Sequence, residues 1–191
     1  MAKKEDLRII KTKAALTSAF FEMLENKTLE EITVNDLCEK AGVRRATFYK
    51  HFNDKNDFTI YLIKDVRETF ERDVWSKQAS THPTKEYYIK YAEALMTYAI
   101  ERKKVFKSII QSSARSTFIE IFAQQNLKDT AKLLEISAKA GMPLISAPDV
   151  VASMIVGGTA RVIINWIERE DRCPPDVLLK EISKIINRVL S

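Results

Sequence analysis

The segment 28–58 constrains the fold of this chain more than any other, because it encodes two short helices joined by a glycine turn. Thr33 and Asp36 have the spacing of a capping box, which predicts a helix start. That helix stops at Gly42, the residue best suited to a left-handed C-terminal cap. A second short helix is predicted over about 45–51. This arrangement is typical of a helix-turn-helix, whose second helix enters the DNA major groove.

The rest of the chain is predicted to be helical as well. Apolar residues recur at steps of three and four, and no convincing period-two run is found. The pattern predicts an all-α protein of about nine helices. A three-helix DNA-binding domain is expected over 6–66, with its helix-turn-helix at about 33–52, and a C-terminal helical bundle over 80–191. The composition breaks at 76–83, SKQASTHP, which favours a boundary there.

The predicted second helix of the motif is expected to read the base sequence. Arg side chains can pair with guanine or bind a phosphate. Thr47 can offer its methyl group to thymine and its hydroxyl to a hydrogen-bond donor or acceptor. Lys55, at the start of the fourth helix, is expected to bind a phosphate beside that helix's N–H groups. Phe48 and Phe52 are expected to face inward. The predicted DNA-contacting residues are Thr33, Arg44, Arg45, Ala46, Thr47, Tyr49, Lys50, His51 and Lys55.

Each of these residues alone is more typical of a solvated or packing position, and only their combination in register favours DNA binding. The charge pattern agrees with it. The formal net charge is +5, and residues 40–55 carry five basic side chains against one acidic. Residues 21–39 carry six acidic and one basic. Such segregation favours one face that meets phosphates, although a solvated face of mixed charge is the alternative.

These residues carry a family resemblance. Residues 9–62 resemble the N-terminal DNA-binding domain of the TetR family of bacterial transcriptional regulators, through the segment ITVNDLCEKAGVRRATFYKHFNDKNDF. The matching features are apolar-Thr-Val, Ala-Gly-Val, Thr-aromatic-Tyr, His-Phe and polar-Lys. The resemblance implies that the predicted contacts, Arg44 apart, lie at the DNA surface, and that an all-helical body dimerises through its last two helices. The segment SMIVGGTARVIINWIEREDRCPPDVLL is similar to one branch of the family.

The chain departs from the family pattern at Arg44. The family usually has Ser or Asn there, which caps the recognition helix. Without that cap the helix start is expected to lose about 1 kcal/mol. Arg44 is then available for a DNA contact.

A homodimer is expected, because a palindromic operator needs two recognition helices about 34–36 Å apart. The last two predicted helices are more apolar than one covered face requires. Gly157 and Gly158 predict a close helix crossing or ligand approach, with plain helix packing as the alternative. The predicted interface residues are Val162, Ile163, Trp166, Leu178, Ile182, Ile185, Ile186 and Val189.

Aromatic side chains at helical spacing could line a pocket for a small hydrophobic effector, although the same pattern also fits a plain core. The sequence does not specify whether such a ligand is cationic, aromatic or acyl. The candidate pocket residues are Trp75, Tyr87, Tyr91, Tyr98, Phe106, Phe118, Phe122, Met154 and Gly158.

The main hypothesis is a cytoplasmic transcriptional regulator, a repressor released from double-stranded DNA by a small effector. The alternative is a DNA-binding adaptor or co-activator controlled by a partner protein. No cofactor or metal is expected, and an enzyme is disfavoured because the chain has only His51 and His82 and no Gly-rich phosphate loop.

Other location signals are weak. Cys38 and Cys173 are too few for a disulfide framework, and the charged start MAKKEDLRIIKTK predicts no signal peptide. The apolar stretch 150–167 contains Arg161 and Asn165, so no membrane partner is expected.

Overall fold

The computed structural model describes residues 7–75, 84–169 and 173–190. All regular structure in these ranges is helical, without strands, as predicted. The helices are α1 Leu7–Leu24, α2 Val34–Lys40, α3 Arg45–Phe48, α4 Lys55–Thr69, α5 Lys85–Glu101, α6 Lys103–Ile110, α7 Arg115–Lys139, α8 Pro148–Glu168 and α9 Pro175–Val189. A π-helical segment, Phe70–Trp75, continues α4.

The two short helices of the motif form where their caps predict them. The capping box of Thr33 and Asp36 is present at the start of α2. After α2, Gly42 has a positive φ of 64°, a conformation that glycine adopts without strain. Helix α3 is shorter than the predicted span of 45–51. It ends at Phe48, and residues 49–51 continue as turns. In a helix this short, most backbone N–H and C=O groups belong to one of its two ends and have no hydrogen-bond partner inside the helix.

An aromatic cluster holds α1, α3 and α4 together. The Phe58 ring lies at its centre, with centroid distances of 5.4 Å to Phe20, 5.8 Å to Phe48 and 4.9 Å to Phe52. Phe48 and Phe58 are fully buried, and Phe52 is 5% exposed. The prediction that Phe48 and Phe52 face inward is therefore confirmed. Edge-on aromatic packing of this kind fixes the angle of α3 on the domain.

Helix α8 is the central helix of the C-terminal body. It packs most extensively against α7, and also contacts α5, α6 and α9. Its length and apolar composition alone would allow it to cross a membrane, and 44% of its most apolar 18-residue window is buried inside the protein. Because it packs against four other helices, the apolar composition of α8 is explained by its place in the protein core.

The two predicted domains share one apolar core. A single buried cluster includes Leu16 of α1, Phe58 of α4, Phe106 of α6 and Ile164 of α8. The hydroxyl of Tyr98 donates to the backbone carbonyl of Val66, at 3.3 Å, across the same junction. The composition break at 76–83 lies outside the described residues, so the exact boundary stays a prediction.

Candidate DNA-binding site and internal cavities

The predicted recognition residues form one surface around α3. Phe48 is fully buried and anchors the helix, while its neighbours point away from the core. Thr47 and His51 are half-buried at the edge of this surface. The exposed members are Thr33, Arg44, Arg45, Ala46, Tyr49 and Lys50. The fold thus brings these residues together and presents a basic surface to solvent.

Arg44 and Arg45 begin the recognition helix without a side-chain cap. Arg44 is the N-cap residue, and its side chain makes no capping hydrogen bond, as expected from the missing Ser or Asn. The guanidinium carbon of Arg45 lies 5.9 Å from the centroid of the Tyr49 ring, within cation–π range. Tyr49 is itself 49% exposed. This contact limits the orientations of Arg45 while leaving its N–H groups available to a DNA acceptor.

Thr33 supports the start of α2. Its hydroxyl oxygen accepts a hydrogen bond from the Asp36 amide at 3.1 Å. The Asp36 carboxylate in turn accepts one from the Thr33 amide at 3.4 Å. Hydrogen bonds from the side chain and then the backbone of Thr33 lower the pKa of Asp36. Thr33 therefore positions the helix that lies before the turn, and its exposed side chain remains at the predicted surface.

Lys55 was predicted to reach out to a DNA phosphate, but its side chain instead bonds within the protein. Its Nζ donates to the backbone carbonyls of Leu29, Glu30 and Ile32, at 3.0, 3.1 and 3.0 Å. An ammonium has three donors, so all three are used within the fold. The expected direct phosphate contact therefore conflicts with this geometry. The segment 28–32 supplies the acceptors, because it turns back over the start of α4 before α2 begins.

Replacing Lys55 with Met is expected to lower stability by about 1–3 kcal/mol, since it removes three charge-assisted hydrogen bonds and keeps the aliphatic stem. Urea unfolding at fixed protein concentration measures this loss. The exposed Lys50 provides a matched control, and Lys50→Met should leave the free energy of unfolding nearly unchanged. An unchanged stability for Lys55→Met, combined with weaker binding to every DNA sequence, would instead restore the phosphate role.

Two adjoining cavities, each partly open to solvent, lie among the helices of the C-terminal body, and the predicted aromatic residues divide between them. Tyr87 and Tyr91 line a polar cavity of about 40 Å³. An apolar cavity of about 80 Å³ lies next to it. The predicted residues lining the apolar cavity are Tyr98, Phe106, Phe118 and Phe122. The side chain of Trp75 lies outside the described part of the structure.

Met154 and Gly158 are not part of either internal cavity. Both line a groove between α8 and α9 on the outer surface, and Met154 is 59% exposed. The structure therefore separates these two residues from the aromatic side chains with which they were grouped. On α8 the inward positions belong to other residues, such as Val156 and Ile163, which line the apolar cavity.

Four of the predicted dimer residues are buried in their own chain: Ile163, Trp166, Ile182 and Ile186. Ile163 is 7% exposed and Trp166 is 9% exposed. The indole N–H of Trp166 donates to the backbone carbonyl of Cys173 at 3.0 Å. Because the side chains of Ile163 and Trp166 pack against the protomer's own core, little of their surface is available to a second copy. In the α8/α9 groove, Ile185 is exposed and Val162 and Val189 are half-buried, whereas Ile182 and Ile186 are 5% and 2% exposed and form the floor.

Polar cavity residues were missed from the sequence, because isolated polar side chains on helices resemble a solvated face. Glu71, Asn126 and Asp129 all line the polar cavity. Asn126 is buried, and it follows Phe118 and Phe122 at steps of four. That spacing places it on the same inward face and is the signal that could have revealed it.

Comparison with known families agrees with this geometry. Residues 16–61 match the family described as bacterial regulatory proteins, tetR family. Residues 86–188 match a transcriptional regulator C-terminal region, which covers more than half of the chain. The chain belongs to the TetR family. It is a transcriptional regulator with a DNA-binding helix-turn-helix, and not an enzyme.

The relatives of this TetR-family chain are distant in sequence. YxbF, an uncharacterized HTH-type transcriptional regulator of Bacillus subtilis, is 36% identical over 63 residues, which are 32% of this chain and 17% of YxbF. An HTH-type transcriptional regulator of Staphylococcus aureus is 23% identical over 108 residues, 56% of this chain and 58% of the relative. The chain thus spans less than two thirds of the length of these curated relatives.

Solved structures share the fold of the TetR-family chain at low sequence identity. A TetR-family regulator from Pectobacterium atrosepticum has a TM-score of 0.73 at 17% identity, covering 98% of this chain and 96% of the other. FadR from Bacillus subtilis in complex with stearoyl-CoA has a TM-score of 0.71 at 16% identity, covering 93% and 96%. The dihydroxyacetone kinase operon activator DhaS has a TM-score of 0.60 at 16% identity, covering 95% and 97%.

Proposed function

We propose that this TetR-family regulator is a cytoplasmic homodimer that binds a palindromic operator and represses transcription until a small effector releases it. The observation that carries the proposal is the exposed recognition surface of Arg44, Arg45, Tyr49 and Lys50, held on a rigid aromatic cluster. Basic side chains on a fixed helix combine phosphate attraction with contacts to base edges.

The α8/α9 groove supports the homodimer. Ile185 is 62% exposed and Met154 is 59% exposed, and both line the same apolar groove, so they form a contiguous exposed patch of the kind that marks an interaction surface. At Gly157 and Gly158, an added Cβ would meet no atom of the protomer within 4 Å. Packing inside one chain therefore does not explain these glycines, and a closely approaching helix of a second copy would.

Contacts between the two halves of the protein support control by an effector. Glu71 lines the polar cavity and lies on the π-helical continuation of α4, the helix that Lys55 begins. The C-terminal body also holds the segment 28–32. The Ser108 hydroxyl accepts from the Leu29 amide at 3.1 Å, and the Glu30 carboxylate accepts from the Ser113 amide at 3.1 Å. A ligand that displaces α4 would therefore move the recognition motif with it.

Activation is the second candidate, because a protein of this fold, DhaS, is named an operon activator. The fold alone does not set the sign of regulation, since a DNA-bound dimer can block a promoter or assist transcription. A partner protein bound to the body would replace the small effector in that case.

A reporter driven by the promoter beside the regulator's own gene tests the proposal. The wild-type regulator should lower expression, and Arg45→Ala should restore most of it, because a lost base contact costs about 1–3 kcal/mol of DNA binding. Lys139→Ala, an exposed change at the end of α7, is the control and should repress normally. Lower expression with Arg45→Ala than with wild type would support activation instead of repression. Equal expression would show that Arg45 is not one of the residues that recognise the operator.

A further inference from the structure

The polar cavity has the chemistry of a cation site. Its wall combines three tyrosines on α5, Tyr87, Tyr88 and Tyr91, with two carboxylates, Glu71 and Asp129. Aromatic faces attract cations through the ring quadrupole, and carboxylates accept hydrogen bonds from an ammonium group. The cavity holds about 40 Å³. A cavity of roughly 10–15 Å³ on this measure holds one water molecule, so a group of about the size of an ammonium fits.

The Arg67 guanidinium acts on Glu71 through its charge, without a salt bridge between the two side chains. Among the described residues, no salt bridge joins Glu71 or Asp129 to a Lys or Arg. Asp129 accepts a hydrogen bond from the Gln125 amide group at 3.0 Å. Burial raises the pKa of Glu71, the charge of Arg67 lowers it, and the charge of Asp129 raises it. Binding of a cation would stabilise the ionised form of a partly buried carboxylate that lies near a second negative charge.

Tyr88 adds an acceptor at the same place. Its side chain is 3% exposed, and its hydroxyl is hydrogen-bonded to the side chain of Ser137. A tyrosine hydroxyl can both donate and accept, so it can take a hydrogen bond from a ligand N–H beside the one that it shares with Ser137. The cavity therefore offers acceptors and aromatic faces in the same small volume.

The polar cavity adjoins the apolar one, and the two share part of their walls. Leu95, Asn126 and Val156 line both of them. Beyond these shared residues the lining is aromatic and aliphatic, with Phe106 and Phe118 among its members. A ligand that fills both must carry a charged head on an apolar body.

We propose that the effector of this regulator is an amphiphilic amine, with its protonated amino group between Glu71, Asp129 and the tyrosines, and its apolar chain in the adjoining cavity. This assignment rests on the proposed small-molecule control of the regulator. An acyl chain with an anionic head is disfavoured, because the same two carboxylates would repel it. The ligand class thus differs from the stearoyl-CoA bound by FadR of Bacillus subtilis.

Calorimetric titration of the full-length protein with three probes of one chain length tests the assignment. Octylamine is protonated near pH 7, as lysine is, whereas octanoate is anionic and 1-octanol is neutral. Octylamine should bind at least about tenfold more tightly than either, the equivalent of one charge-assisted hydrogen bond. Glu71→Gln and Asp129→Asn should each remove about that factor. Glu135→Gln, an exposed change on α7, is the control and should leave octylamine binding unchanged.

The outcomes separate the ligand class from the proposed control. Equal or tighter binding of octanoate, no binding of octylamine, or octylamine affinity unchanged in both carboxylate variants would overturn the amine assignment. Operator binding measured with each probe tests control separately. Octylamine that binds in the cavity but leaves operator affinity unchanged contradicts the proposed release mechanism and keeps the amine site. Operator release by octanoate alone contradicts the amine site and keeps effector control.

Discussion

Ile185→Glu is expected to convert the proposed homodimer into monomers and to weaken operator binding by at least about 100-fold, the scale of an interface hot spot. Ile185 is 62% exposed on the α8/α9 groove, beside Met154 and Val189. A two-fold interface contains each residue twice, so the substitution buries two carboxylates without partners. Light scattering after size-exclusion chromatography measures the mass, and fluorescence anisotropy with labelled operator measures the affinity.

Lys180→Glu is the matched control for this change. Lys180 is exposed on the same helix, and it does not line the groove. This variant should remain dimeric and bind operator with nearly wild-type affinity. If Ile185→Glu also remained a dimer with normal affinity, the α8/α9 face would not be the interface.

Phe58→Ala is expected to lower the free energy of unfolding by about 3–5 kcal/mol, the usual cost of removing a buried aromatic ring. Phe58 is fully buried. Its ring contacts Phe20 of α1 and Phe48 of α3, with centroids 5.4 and 5.8 Å away. Loss of the ring leaves a cavity where three helices meet. Urea unfolding followed by circular dichroism, at equal protein concentrations, measures the change.

The neighbouring Ile60 supplies the control for the aromatic cluster. It lies on the same helix and is 37% exposed, so Ile60→Ala should cost far less than Phe58→Ala. DNA binding should also fall for Phe58→Ala at temperatures where the domain begins to open. A loss below about 1 kcal/mol would contradict the central role of this ring.

Local features of the fold were predictable from the sequence. The capping box of Thr33 and Asp36 lies within four residues, so its two hydrogen bonds follow from neighbouring positions alone. The inward direction of Phe48 and Phe52 follows from their spacing on one helical face. These features were sufficient to identify the helix-turn-helix and the exposed recognition side chains.

Long-range contacts were not predictable in the same way. Lys55 donates to carbonyls 23 to 26 residues earlier in the chain, and no local pattern indicates those partners. Helix α8 is apolar on several sides, so its sequence does not distinguish the face of Ile163, which is buried in the protomer, from that of Met154, which is exposed. The polar cavity was not predictable for the same reason, because Glu71 and Asp129 are 58 residues apart in the sequence and are brought together only by helix packing.

Selection of bound duplexes from a random DNA pool tests most directly whether a pair of α3 surfaces reads the operator. Two copies related by a two-fold axis should enrich inverted half-sites, with centres about one helical turn or a multiple of it apart. Affinity for the enriched sequence should fall steeply as salt concentration rises, because bound phosphates release counterions. Enrichment of a sequence without inverted symmetry, or no salt-sensitive binding to any duplex, would contradict the account.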